Sequence, residues 1–265
     1  MLVAHAAWSA PPVVLGVAAF VVLLFAQGWV RLRRRGRADL ASRPRAALFA
    51  LGLIVALAGL VTPIDTLGED DLLSMHMLQH VLIGDLGIAL ALVAVRGPLF
   101  VFLLPAAVLS PLARSPLRRA LGALLRPRVA FALWATNLAV WHVPSLYDAA
   151  LRHPALHDFE HACWVTAGLL VWTLLVDPGA HGRLTVGGRI ALAAAMFASG
   201  QLLTDVLVFS FHGLYPAYHG SHGLSARTDQ QLAGVVMMVE QLLTLGTLAV
   251  VLLRNRSRGT RLVTA

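Results

Sequence analysis

Two short stretches carry residue types that bind metals. In "MHMLQH" His76 and His80 stand four residues apart, and in "HDFEH" His157 and His161 do the same, with Glu160 beside them. On an α-helix residues i and i+4 lie one above the other, so each pair projects from one face. Two imidazoles so placed can share one ion, and neutral imidazole suits copper, zinc and iron. Met75 and Met77 flank the first pair, and Met237 and Met238 stand together later. Thioether sulfur added to imidazole shifts the preference towards Cu(I). Taken singly these features have plainer readings. One H-x-x-x-H on a helix is also an ordinary interfacial arrangement, methionines at helical spacing pack cores, and the single Cys163 is a small buried residue. Two pairs on different segments are harder to explain that way.

The elements that must position these pairs are membrane helices. The chain has 265 residues, 58% hydrophobic and 13% charged, with mean hydropathy +0.76. Soluble domains carry about twice that charge fraction, and apolar runs of about 20 residues cross a bilayer. The expected architecture is all-α: one polytopic transmembrane domain over residues 1–265. Seven spans are expected at about 12–30, 46–64, 73–95, 129–147, 159–176, 190–211 and 230–253. The stretch 98–125 is apolar but broken by Pro105 and Pro111, and reads as interfacial or re-entrant. The N-terminal run has no basic residue before it and reads as a retained helix.

All 21 basic residues are arginine, and the net charge is +8. The positive-inside rule accounts for them without nucleic acid. With the N-terminus outside and the C-terminus cytoplasmic, loops 31–45 and 96–128, the pair Arg183 and Arg189, and the C-terminal tail hold every arginine inside except Arg152 and Arg227. On that topology ten of the eleven histidines share the outer side: His5, His76, His80, His142, His153, His157, His161, His212, His219 and His222. Only His181 lies inside. His153 precedes Pro154 and would cap the next helix. His5, His219 and His222 read as solvated loop residues.

Three carboxylates fall within spans. Asp85 and Glu240 sit near mid-depth and Asp205 in an outer third, and such groups are costly enough to be functional candidates. The plainer reading is a neutral acid bonded across helices, with Asn137, Thr204 and Thr244 as partners. On a straight helix Asp85 lies about 140° round from His80. Gly84 and Gly87 would let another helix approach closely.

Three blocks, "MHMLQHVLIGDLG", "WHVPSLYDAALRHPALHDFEHACW" and "TDQQLAGVVMMVEQ", resemble in order the CtaG family of caa-type cytochrome c oxidase assembly factors. His76, His80, Trp141, His142, Pro144, Tyr147, His157, His161, Asp229 and Gln231 match its pattern. The resemblance covers about residues 50–250. It implies a multi-pass protein of the bacterial plasma membrane, serving the respiratory chain. The role expected is non-enzymatic: binding copper from the extracytoplasmic side and delivering it to haem–copper oxidase subunits, directly or through a copper chaperone. His76, His80, His142, His157 and His161 are the expected metal ligands. Met75, Met77, His153, Glu160, Asp205 and Asp229 are supporting candidates, and Asp85 and Glu240 have no assigned role. Membrane lipid is the other partner. The alternatives are a membrane-embedded zinc hydrolase with Asp205 or Glu160 as base, and a b-type cytochrome with haem held by two histidines.

Overall fold

The computed structural model describes residues 7–263, and the side chains of all of these but Ala106 and 256–263. Among the described residues every regular element is helical. Six helices are long and apolar enough to cross a membrane: α1 (Pro12–Arg34), α2 (Arg43–Val61), α4 (Leu73–Ala94), α10 (Pro154–Val176), α11 (Val186–Phe209) and α12 (Ala226–Asn255, continuing to Val263). A short α3 (Pro63–Asp70) joins α2 to α4. The expected span 129–147 is instead a bent pair, α8 (Pro127–Trp141) and α9 (Pro144–Arg152), meeting at 77°. It makes the seventh span if counted as one.

Prolines set these breaks. Pro144 opens α9 and forces Val143 into extended backbone, so α8 stops at Trp141. Pro154 likewise opens α10, with His153 as its N-cap residue. The stretch 98–125 forms α5 (Pro98–Phe102), α6 (Ala106–Arg114) and α7 (Pro116–Leu124), each too short to span.

The centre of the bundle is α4, packed on α2, α3, α10 and α12. Of its most apolar stretch 61% is buried, against 11% for α1. Glycines allow the closest approaches. A Cβ on Gly168 of α10 would overlap the Gly84 carbonyl of α4, and one on Gly52 of α2 would lie 2.8 Å from the Gly87 carbonyl oxygen. Gly84 and Gly87 thus each admit a neighbouring helix, α10 at the first and α2 at the second. Two spans carry a π turn at mid-length: Leu82–Leu86 in α4 and Leu242–Gly246 in α12. Each adjoins or contains an intramembrane acid, Asp85 or Glu240.

Candidate metal centre

The first two turns of α4 carry the first histidine pair, yet its N-cap residue is Leu72, which has no side-chain acceptor. The missing cap comes from another span. Asp229, in the first turn of α12, accepts from Leu73 N at 2.6 Å through Oδ2, and from Ser74 N at 3.1 Å and Ser74 Oγ at 2.5 Å through Oδ1. A carboxylate at a helix N-terminus satisfies orphan N–H groups and meets the positive end of the helix dipole. The next two residues lock α12 to α11: Gln230 Nε2 donates to Leu207 O and Gln231 Nε2 to Val208 O, both at 3.0 Å. The D-Q-Q block is therefore a latch that places α4.

Other partners fix the depth and rotation of α4. Gln79 donates to Asp65 Oδ1 at 2.6 Å, and Ser9 donates to Asp65 Oδ2 at 3.0 Å. Burial, then the nearby charge of Glu69, raises the Asp65 carboxyl above its ordinary range. Gly68 lets the backbone of α3 touch α4, since a Cβ there would stand 2.9 Å from His76 Cα.

The two histidine pairs converge. His76, His80, His157 and His161 each offer one ring nitrogen, and the four nitrogens lie within 4.8 Å of one another. His76 and His80 are 4.4 Å apart by ring centroid, His157 and His161 4.1 Å, and the cross pair His80–His161 5.4 Å. The first three are buried and His161 is half-buried.

Hydrogen bonds assign the protons. Tyr218 OH donates its one proton to Gly68 O at 2.5 Å, and burial raises the Tyr218 hydroxyl so that it keeps that proton. His76 Nδ1, 3.1 Å from the Tyr218 oxygen, must then be the donor, which turns the lone pair of His76 Nε2 towards His80 Nε2 at 3.0 Å. His157 Nδ1 faces Glu69 Oε1 at 3.1 Å, and its Nε2 has no hydrogen-bond partner. His161 Nε2 and His80 Nδ1 also lack one. Glu160, 1% exposed, sits with Oε1 3.6 Å from His80 Nε2, and neither of its oxygens has a hydrogen-bond partner. A buried carboxylate beside inward-facing lone pairs is a place for a cation, because buried charges need a paired charge or a metal.

The remaining candidates fall elsewhere. His142 is buried at the end of α8, with Nε2 3.4 Å from Met77 Sδ, and Trp164 packs against both its ring and that of His80. Met75 is half-buried, and His153 is exposed and makes no side-chain cap bond. Asp205 is exposed on the outer face of α11, bonded to Gln201 Nε2 at 2.7 Å, because its neighbour Thr204 takes the inward face. His212, His219 and His222 are exposed loop residues, His222 near Asp71 at 3.3 Å. His5 lies outside the described residues. Asp85 lines a cavity with His80 despite the 140° expected on a straight helix. The π turn, closing i→i+5 bonds, advances less per residue and brings Asp85 back towards that face.

Sequence reasoning missed Tyr218, Gly68 and Glu69. Their partners are 142, eight and 88 residues away along the chain, so no local spacing announces them. The short tyrosine-bearing loop between two spans was the only available signal.

A bundle of membrane-spanning helices that brings four histidines together at one end is a multi-pass protein with a cluster that could hold a metal ion. Within that class the chain has a definite place: it belongs to the cytochrome c oxidase caa3 assembly factor family (Caa3_CtaG), whose family model matches residues 23–258. It is thus a cytochrome c oxidase assembly factor. No curated protein and no solved structure matches it.

Proposed function

We propose that the four-histidine centre binds copper at the extracytoplasmic side of the bacterial plasma membrane and delivers it to a haem–copper oxidase, directly or through a copper chaperone. The observation that carries this reading is the convergence of four imidazole nitrogens within 4.8 Å, beside the unpartnered Glu160. Neutral nitrogen donors suit copper, and an assembly factor for a copper enzyme has a use for it. Arginine placement supports this sidedness: the cluster lies at the end of the bundle away from Arg31–Arg45 and Arg96–Arg128.

The same geometry speaks against the alternatives. A catalytic zinc keeps three protein ligands and an open position, whereas four histidines converge here; of the two candidate bases Asp205 stands apart on the outer face of α11, and Glu160 lies 3.6 Å from His80 Nε2. The four rings stand 4.1–6.5 Å apart by centroid, so a haem placed between any two of them would have to share that space with the other two.

Two experiments test the proposal. A strain lacking the protein should lose oxidase activity in copper-poor medium while oxidase transcripts persist, with partial rescue by added copper. Full activity in that strain would refute delivery. Metal analysis of the purified chain should find copper, and His80→Ala or His161→Ala should lose it while the fold remains. For sidedness, a cysteine placed in the loop 212–225 should react with an impermeant label from outside only.

A further inference from the structure

Beneath the four-histidine centre lies a cavity of about 40 Å³, lined by Met77, His80, His142, Met237, Asp85 and Glu240 among others. At about 10–15 Å³ per water centre it holds about three waters. Copper binding at the upper centre leaves this space unexplained.

The contact between His142 and Met77 is the odd one. His142 Nδ1 is 2.7 Å from the Leu138 carbonyl oxygen. A carbonyl only accepts, so Nδ1 carries the ring proton and Nε2 of the neutral imidazole is a bare lone pair. That Nε2 lies 3.4 Å from Met77 Sδ, and a thioether also offers only lone pairs. Two acceptors therefore face each other with no proton between them, on side chains 8% and 2% exposed. A cation shared by both turns that contact into two bonds. With the lengths of tetrahedral metal sites, about 2.0 Å to imidazole nitrogen and about 2.3 Å to sulfur, the 3.4 Å separation corresponds to an angle of about 105° at the metal.

We infer that His142 and Met77, completed by Met237 across the cavity, form a second metal site, for Cu(I). One imidazole and two thioethers are soft donors that select Cu(I) over zinc. All three are neutral, so the ion's charge needs compensation inside the bundle. Asp85 and Glu240 supply it from the same cavity: Trp172 Nε1 holds Asp85 Oδ1 at 2.8 Å, and Glu240 Oε1 has no hydrogen-bond partner. His142 is also held as metal-bound histidines are, by donation from its other nitrogen to a carbonyl, and Tyr215 OH donates to its backbone oxygen at 3.2 Å. His80 borders both the cluster and the cavity. An ion leaving the upper centre would meet the lower one next, and that order of passage alone rests on the function proposed above.

The test uses the full chain, purified in detergent without oxygen and titrated with Cu(I) against bathocuproine disulfonate. The wild type should bind two Cu(I), with a sulfur shell in copper X-ray absorption. Met77→Leu with Met237→Leu should drop the count to one and lose the sulfur shell; leucine keeps the methionine volume, so the fold should survive. His76→Ala with His161→Ala should remove the other ion and keep the sulfur shell. Selenomethionine labelling gives a readout without mutation, since a copper neighbour should appear at the selenium edge. A labelled wild type with no selenium–copper distance, or a double leucine variant that keeps both ions, would overturn the second site. A wild type that binds only one Cu(I), with a sulfur shell that persists when His76 and His161 are replaced, would uphold this site and sink the upper one.

Discussion

Asp229 touches no metal ligand, yet its replacement by asparagine should weaken the metal centre. Its carboxylate takes three hydrogen bonds at the start of α4, from Leu73 N, Ser74 N and Ser74 Oγ. In Asp229→Asn one oxygen can still serve Ser74, but the amide NH₂ turns towards Leu73 N–H, where the carboxylate now receives a bond at 2.6 Å. Flipping the amide only moves the conflict to Ser74 N. A bond to a charged acceptor contributes about 1.5–3 kcal/mol, and a buried N–H left unpaired costs about as much. Loss of the negative charge at the helix N-terminus adds about 0.5–1 kcal/mol. The expected destabilisation is about 2–4 kcal/mol, read as a fall of about 10 °C in the unfolding midpoint in detergent. His76 stands two residues beyond Ser74, so a frayed first turn should also lower metal affinity by about 10–100-fold, the range seen when a ligand loses its support. Ser74→Ala should be less than additive with it, because the two share one network. An Asp229→Asn chain with unchanged midpoint and unchanged affinity would refute the capping argument.

Glu69→Ala should remove the acceptor that orients His157 and cost about tenfold in metal affinity, with little change in the unfolding midpoint; competition titration reads the first and thermal unfolding in detergent the second. Gly68→Ala places a methyl 2.9 Å from His76 Cα, so α3 must retreat and the Tyr218 bond lengthen; a loss of affinity of at least about tenfold is expected, against none if α3 is merely a linker. Metal affinity should fall with acid. Imidazoles bind metal only when deprotonated, so affinity should decline once acid protonates the empty site's histidines; a profile with no decline down to the pH of unfolding would exclude histidine ligation.

Apolar run length and arginine placement carry the bundle, because lipid leaves a helix few alternatives. The spacing of His76 with His80 and of His157 with His161 marks two ligand-bearing faces, since a 3.6-residue period allows nothing else at four residues. Which faces meet is a tertiary fact, and it depends on Asp229, Gly84 and Gly168, whose partners are remote in sequence. The bend after His142 was readable in Pro144, yet apolar content argued for a continuous span. The π turn at Leu82–Leu86 had no sequence mark, and it moved Asp85 to a face that a uniform helix denies it.

The contact between Gly84 and Gly168 has a mechanical consequence. Backbone meets backbone there, so α4 and α10 cross as two blades on a pivot. His80 stands four residues above the pivot on one blade and His161 seven above it on the other, about 6 and 10 Å along the axes. A scissoring of about 10° at the pivot would shift the imidazoles by about 1–2 Å, comparable with a whole metal–nitrogen bond of about 2 Å. A small angular change there would therefore loosen an ion held between the two histidine pairs without moving either helix far. In Gly168→Ala, where the new methyl collides with the Gly84 carbonyl, the blades are wedged open. Such a chain should keep all four histidines and still grip the ion poorly, with dissociation faster than in the wild type.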